Sequence, residues 1–312
     1  MHIHWADGVC PAPTGIEPSW VHHYAWRSIV VLSIAADALI PSRRMMWRGN
    51  FIKRFAWEGA GMRTNRTIGS AAPNRTLSLK ELELPFFKQH IDRMDELCRA
   101  NPDLYLHPSK RWEYPWALAR AELSGGAVVL DAGCGSSVFP LYLSTLGYRV
   151  SAFDYNLPAN MAKYQSENLT FTEENLISLR FADGVFDAVF CISVIEHLER
   201  RDVSRAMAEL RRILKPGGKL LLTTDLYENA SAEIRHTSPE RTFRVDWRVF
   251  DEPELRDYLL TIPNLSLDGE FDPAVDWEKT KPAMQSFHGY PYTSVGLCMV
   301  KTDQTRPLYN NI

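Results

Sequence analysis

The chain has 312 residues, of which 45% are hydrophobic and 23% are charged, and its formal net charge at pH 7 is −3. These values are ordinary for a soluble globular protein, and a chain of this length buries enough apolar surface to fold without disulfide or metal staples. The slightly acidic balance gives no overall reason to expect a nucleic-acid partner.

Residues 1–76 show little helical or strand periodicity and are predicted to be a basic, poorly ordered leader. The alternative is a segment that docks on anionic lipid, nucleic acid or a protein partner. The apolar run at 29–40 is too short to span a bilayer and contains Asp37, and no secretory signal is convincing. The five cysteines lie far apart without zinc-like spacing, which predicts free thiols in a reducing compartment and no metal site. The absence of both signals predicts a cytoplasmic location.

Residues 77–125 are predicted to be a helical extension that could cap a substrate site. Ser78 and Glu81 fit a capping box at the start of a helix that runs to about Arg99, with a restart at Pro85. A second helix is predicted over 111–123.

Strands and helices alternate from residue 127 onward. The predicted strands are 127–131, 148–154, 168–172, 186–193 and 219–225, the helices are 137–146, 157–167 and 202–214, and a tight turn "KPGG" occupies 215–218. A helix over 250–260 and two closing strands, within 265–272 and 293–302, are predicted to follow.

This order predicts an α/β fold over residues 126–303, followed by a tail at 304–312. Near-continuous apolar strands separated by helices indicate a doubly wound, mostly parallel seven-stranded sheet with helices on both faces and an antiparallel edge strand. Such sheets bind ligands at the carboxyl ends of their strands.

The first turn of this region carries the main chemical signal. Gly133 and Gly135 follow the first strand and let a ligand approach the backbone closely, but Val138 breaks the dinucleotide pattern G-x-G-x-x-G. Asp154 ends the second strand, where an acid can accept hydrogen bonds from both hydroxyls of a ribose. Together they predict a nucleoside-containing ligand with an anionic or zwitterionic end.

Four motifs in order, "VVLDAGCG", "FDYN", "LRFADGVFDAVFCISVIEHL" and "LRRILKPGGKLLLTT", resemble the Rossmann-like S-adenosylmethionine-dependent methyltransferases over roughly residues 110–302. The resemblance implies S-adenosyl-L-methionine as the cofactor and methyl transfer as the activity. The residues that it implies for cofactor binding are Asp131, Ala132, Gly133, Gly135, Asp154, Tyr155, Asn175, Leu176, Ile192 and Ser193. Asn175 departs from the family, which usually has aspartate there, but its side-chain oxygen can still accept from the adenine amine.

His197 is the candidate catalytic residue, a general base near the transferred methyl group. The alternative is that Glu196 and His197 only pack the turn into the next helix. Candidate walls of the acceptor pocket, beside the rim at 284–294, are Trp112, Tyr114, Trp116, His236, Arg241, Asp246 and Trp247.

A small-molecule acceptor methylated at oxygen is favoured, because no N-P-P-Y signature of base-amine methylation follows the fourth strand. The sequence leaves the acceptor's identity and the oligomeric state open. One alternative function is a non-catalytic S-adenosylmethionine-binding or scaffolding protein. Another, an NAD-dependent dehydrogenase, is disfavoured by Val138 and by the "KPGG" turn.

Overall fold

The structure, a computed structural model, describes residues 72–229, 234–236 and 245–302, with only the backbone at 234–236 and 245–247. Its strands are β1 (Asn74–Thr76), β2 (Val128–Ala132), β3 (Arg149–Asp154), β4 (Leu169–Glu173), β5 (Phe186–Ile192), β6 (Leu214–Leu226), β7 (Ile234–His236), β8 (Val245–Trp247), β9 (Leu265–Leu267), β10 (Phe271–Asp272) and β11 (Thr293–Lys301). Its α-helices are α1 (Pro85–Ala100), α2 (Lys110–Ala121), α3 (Phe139–Thr145), α4 (Arg200–Ile213), α5 (Glu252–Leu259) and α6 (Trp277–His288).

The central sheet has the strand order β10-β1-β11-β6-β5-β2-β3-β4, with β9 also paired to β11. The five strands from β6 to β4 are mutually parallel, and β11 is antiparallel to β6. Strands β7 and β8 form a separate antiparallel pair. This arrangement confirms the predicted α/β fold with a mostly parallel sheet.

Apolar side chains of successive residues in β2 supply the cores on opposite faces of the sheet. Val129 packs in a buried cluster that includes residues of α1, α2 and α3, whereas Leu130 packs in a second cluster with residues of α4 and α5. Because side chains alternate across a strand, a run of apolar residues fills both layers. The sheet is therefore covered by helices on both faces.

The sheet extends further beyond β11 than the sequence predicts. Strand β11 has β6 on one side and both β1 and β9 on the other, so it is not an edge strand. Strand β1 lies within the segment assigned to the leader, and the folded part thus begins before the predicted boundary at residue 76. The predicted closing segment 265–272 contains two short strands, of which β9 pairs with β11 and β10 pairs with β1 in parallel.

Several local predictions are wrong. Ser78 makes no side-chain capping bond and is followed by a 3-10 helix, Leu79–Glu83, so the α-helix starts at Pro85. The segment 157–167 contains a 3-10 helix, Ala159–Tyr164, rather than an α-helix. The "KPGG" turn lies inside β6, where a register shift against β5 accommodates it.

Helix α6 occupies a region for which no helix was predicted. Within the described ranges, no helix combines the length and the apolar character that crossing a membrane requires.

Candidate functional site

An open cleft of about 880 Å³ lies at the carboxyl ends of the parallel strands. Its walls come from the loops after β2, β3, β4 and β5, which meet at one edge of the sheet. This is the place where open α/β sheets bind ligands, and the volume lies within the range for small-molecule sites.

The glycine turn after β2 forms one wall of the cleft. Gly133 has φ +82°, and a Cβ atom built on it would lie 2.5 Å from Val194 Cγ2. The N–H groups of Gly133 and Cys134 both donate to the Phe153 carbonyl at 2.8 Å. The turn is thus fixed against β3, and only glycine fits its first bend.

Asp154 joins this turn to the end of β3. Its Oδ2 accepts from the Gly135 N–H at 2.8 Å, and its Oδ1 accepts from the Asn156 N–H at 3.0 Å. A carboxylate has about four acceptor positions, so two remain for hydroxyl groups in the cleft. The next residue, Tyr155, is 73% exposed and offers its ring as a wall.

Asp131 provides the clearest test of whether a zwitterionic nucleoside fits. Its side chain is buried, and its Oδ2 has no hydrogen-bond partner among the residues that the structure describes. Burial and the charge of Asp154 raise the pKa of this carboxyl to about 8, although Lys110 opposes the shift. A buried acceptor without a partner is costly, and an ammonium group would supply the missing donor and favour the ionised form. The site therefore fits the amino-acid end of S-adenosylmethionine.

A second buried carboxylate, Glu113 of α2, ties the N-terminal helices to the strand ends. It accepts from Thr223 Oγ1 at 2.5 Å, from Ser193 Oγ at 2.7 Å and from Ser294 Oγ at 3.3 Å. Lys110 Nζ donates to both Glu113 oxygens at 3.0 Å and to Ser193 Oγ at 2.6 Å.

This network explains why Glu113 is ionised. Burial alone would raise the pKa of Glu113, but the Lys110 charge and the hydroxyl donors lower it to about 2. A paired and fully hydrogen-bonded carboxylate is thus held under the cleft wall formed by Ser193.

Seven of the predicted cofactor residues line the cleft: Gly133, Gly135, Asp154, Tyr155, Asn175, Leu176 and Ser193. The other three, Asp131, Ala132 and Ile192, are buried behind its surface. Asn175 is exposed, and its Oδ1 accepts from the Ile177 N–H at 3.2 Å, which leaves one lone pair for a ligand.

His197 also lines the cleft, at the end of the 3-10 helix Ile195–His197, and its side chain is exposed. Its neighbour Glu196 is buried, and Glu196 Oε2 accepts from Thr224 Oγ1 at 3.1 Å. Glu196 therefore packs this turn against β6. The role of His197 as a general base stays a prediction.

The aromatic residues of α2 do not form an acceptor wall. Trp112 Nε1 donates to Glu81 Oε2 at 2.6 Å, Trp116 Nε1 donates to the Pro73 carbonyl at 3.1 Å, and Tyr114 bonds Ser137 at 2.7 Å. All three rings are buried in the same cluster as Val129, and none of them lines the cleft. The wall candidates His236, Arg241, Asp246 and Trp247 lie outside the residues whose side chains the structure describes.

Sequence reasoning missed Lys110, Glu113, Val194 and Glu174. Glu174 lines the cleft and pairs with Arg180 at 2.9 Å, whereas Val194 fits against Gly133. Lys110 is three positions from Glu113, but the hydroxyl partners of Glu113 are 80 to 181 positions away along the chain. No local sequence pattern predicts contacts at that separation.

The region that contains the cleft is similar to known proteins. Residues 130–222, which include the glycine turn and Asp154, match the family model described as a methyltransferase domain. This part of the chain is similar to a methyltransferase domain and is called the methyltransferase domain below. Strands β3, β4 and β5 and helices α3 and α4 lie wholly within the methyltransferase domain, and so do the residues that line the cleft.

Two curated relatives extend the match beyond the methyltransferase domain. A ubiquinone biosynthesis O-methyltransferase of Xanthomonas oryzae pv. oryzae is 32% identical over 152 residues, which cover 45% of this chain and 62% of the relative. An uncharacterized protein of Methanocaldococcus jannaschii is 32% identical over 142 residues, covering 46% of this chain and 54% of the relative. The chain thus spans between half and two thirds of the length of these relatives.

Among solved structures, a Burkholderia thailandensis 1,6-didemethyltoxoflavin-N1-methyltransferase is 20% identical. The match covers 70% of this chain and 87% of that one, with a TM-score of 0.47.

Proposed function

We propose that this protein transfers a methyl group from S-adenosylmethionine to a small-molecule acceptor, at oxygen. One observation carries the proposal. A glycine turn that forms one wall of the cleft is flanked by two aspartates. Asp131 has a buried oxygen that could accept a hydrogen bond, and Asp154 has free acceptor positions.

Each end of the cleft suits a different part of the cofactor. Asp131, ionised by pairing with the ammonium, would supply a negative charge for the amino group, and the bent backbone at Gly133 leaves room for the amino-acid chain. Asp154 is positioned to accept from ribose hydroxyls, and Tyr155 and Leu176 would flank the adenine. Ile192 and Ser193 would lie on the other face of the ligand.

When bound, S-adenosylmethionine supplies a methyl group on a positively charged sulfur. The protein's own contribution is then alignment and exclusion of water, because a neutral acceptor takes over the charge without new charge appearing. An alcohol acceptor is a weak nucleophile and benefits from a nearby base, the role proposed for His197 on the cleft wall.

Two observations favour a small molecule methylated at oxygen. The Xanthomonas oryzae relative is named an O-methyltransferase, which favours oxygen. The chain has a net charge of −3 without the basic excess expected of a nucleic-acid-binding enzyme, which favours a small molecule. The predicted cytoplasmic location belongs to the same proposal.

The test is a transfer assay with the full chain, methyl-labelled S-adenosylmethionine and a panel of small alcohols, phenols and amines. We expect label transfer to an oxygen acceptor and production of S-adenosylhomocysteine. Cofactor binding without transfer to any acceptor would support the non-catalytic binding protein. Transfer confined to amines would overturn the oxygen assignment. Asp154→Ala, assayed in parallel, should raise the S-adenosylmethionine concentration that labelling requires if the cleft is the site.

A further inference from the structure

The segment from the end of α6 to the start of β11 lies beside the cleft. Thr293 pairs with Leu226 and Ser294 with Asp225, so β11 begins where β6 ends, at the carboxyl edge of the parallel strands. Helix α6 ends at His288, and Gly289 closes it with φ +92°. Residues 288–292 therefore lie over the edge of the sheet at which the cleft opens.

One carboxylate connects this segment to the cleft wall. Glu113 accepts hydrogen bonds from both Ser193, which lines the cleft, and Ser294, two residues after Tyr292. Because a hydrogen-bonded carboxylate holds its donors within a few ångströms of each other, the start of β11 is close to the wall at Ser193. Both Glu113 and Lys110 act electrostatically on His288.

His288 has two buried ring nitrogens, and within the described residues neither makes a hydrogen bond of good geometry. Backbone groups of Tyr292 and of His288 lie near enough to the ring to favour its charged form, but burial outweighs this and lowers the pKa of the imidazole. A neutral imidazole offers one donor and one acceptor. Leaving both unused in a buried position is costly unless a ligand engages them.

Aromatic rings surround this imidazole. The His288 ring centroid lies 5.1 Å from that of Tyr292 and 6.1 Å from that of Tyr290, and the two tyrosine rings stack at 5.3 Å with an interplanar angle of 23°. Tyr227 and Tyr290 pack against the buried pair Val249 and Tyr292. Flat rings beside a hydrogen-bonding group match a flat ligand that carries a polar substituent.

We infer that residues 288–292, facing the methyl donor across Ser193, form the acceptor subsite, that it takes a phenolic ring, and that His288 hydrogen-bonds the phenol hydroxyl. This inference rests on the proposed function and narrows it to a substrate class. It is independent of which group removes the hydroxyl proton.

The test uses the full chain with ¹³C-labelled histidine, with and without S-adenosylhomocysteine. Phenol is the probe, and toluene, a ring of similar size without the hydroxyl, is its control. We expect phenol to shift the His288 resonance saturably, with toluene binding more weakly. The buried ring of His90 on α1, which bonds the Tyr142 hydroxyl, should not respond and serves as the internal control.

Two variants separate the hydroxyl contact from the ring contact. His288→Phe keeps a ring in place, and it should weaken phenol binding about tenfold while leaving toluene unaffected, as expected for one lost hydrogen bond to a buried partner. Tyr290→Leu should weaken both probes. Thermal unfolding of each variant verifies that it folds.

The inference is overturned if phenol leaves His288 unshifted in both cofactor states, or if toluene binds as tightly as phenol. Binding of S-adenosylhomocysteine is measured in the same samples. If it binds while phenol does not, the acceptor subsite is wrong and the proposed function stands. If it does not bind, the proposed function fails whatever phenol does.

Discussion

The geometry of the turn at Gly133 sets how much an alanine there should lower the free energy of unfolding. Alanine at this position would hold φ +82° and place its Cβ 2.5 Å from Val194 Cγ2. A left-handed conformation costs an L-residue about 1–2 kcal/mol, and overpacking adds about 1–3 kcal/mol. Gly133→Ala should therefore lower the free energy of unfolding by about 2–5 kcal/mol.

Gly147→Ala is the matched control. Gly147 has φ +83°, and a Cβ atom at this position would have no neighbouring atom within 4 Å, so only the backbone cost of about 1–2 kcal/mol applies. Urea unfolding of both variants measures the difference. Adding Val194→Ala to Gly133→Ala should recover the steric part and leave the backbone part. Equal destabilisation by the two glycine replacements would refute the steric argument for this wall of the cleft.

Four further predictions concern charge. Asp154→Ala should weaken S-adenosylhomocysteine binding by about 1.5–3 kcal/mol, and unchanged affinity by calorimetry would contradict the ribose assignment. Since Asp131 has a raised pKa of about 8 and must ionise to pair with an ammonium, affinity should rise about 50-fold from pH 6 to pH 8; Asp131→Asn should abolish this pH dependence, and an equal slope in the variant would count against it. Glu113 has a folded pKa lowered to about 2, so its ionic form stabilises the fold above about pH 4.5 and that stabilisation is lost as the pH falls towards 2. Glu113→Gln should cost about 3 kcal/mol near neutral pH and less at pH 3, by urea unfolding. His197→Ala should slow turnover about 10²–10⁴-fold if His197 is the base, and a rate within about threefold of wild type would assign it to packing.

The sequence predicts the glycine turn and Asp154, because segments that follow each other in the chain form this part of the site. A strand, a turn and a short helix separate Gly135 from Asp154, so parallel pairing of β2 with β3 brings them together. The apolar strands and the glycines encode this unit locally. Its ligand class could be predicted for the same reason.

The part that sequence does not predict depends on distant partners. Glu113 occurs among aromatic residues on a helix, and nothing local shows that hydroxyls of Ser193, Thr223 and Ser294 bond it. Helix α6 contains Pro282, which argues against a helix in sequence, yet the helix forms around it. The burial of the His288 ring nitrogens results from the packing of this helix and β11 together.

Short polar segments account for the wrong local predictions. In the segment 157–167 the capping and periodic signals are weak, and a 3-10 helix forms after Pro158. In β6 residues 215–218 have no paired residue, because the register against β5 passes from Leu214 directly to Lys219. The predicted turn is therefore an irregularity inside one long strand, and regular pairing resumes after Gly218.

A crystal structure of the full chain with S-adenosylhomocysteine bound tests the central claim most directly. We expect that the ribose hydroxyls bond Asp154, that the amino group lies within hydrogen-bond distance of Asp131 Oδ2, and that the sulfur faces Ser193 and the 288–292 segment. A nucleoside bound outside this cleft, or bound in it without contact to Asp154 and Asp131, would contradict the claim.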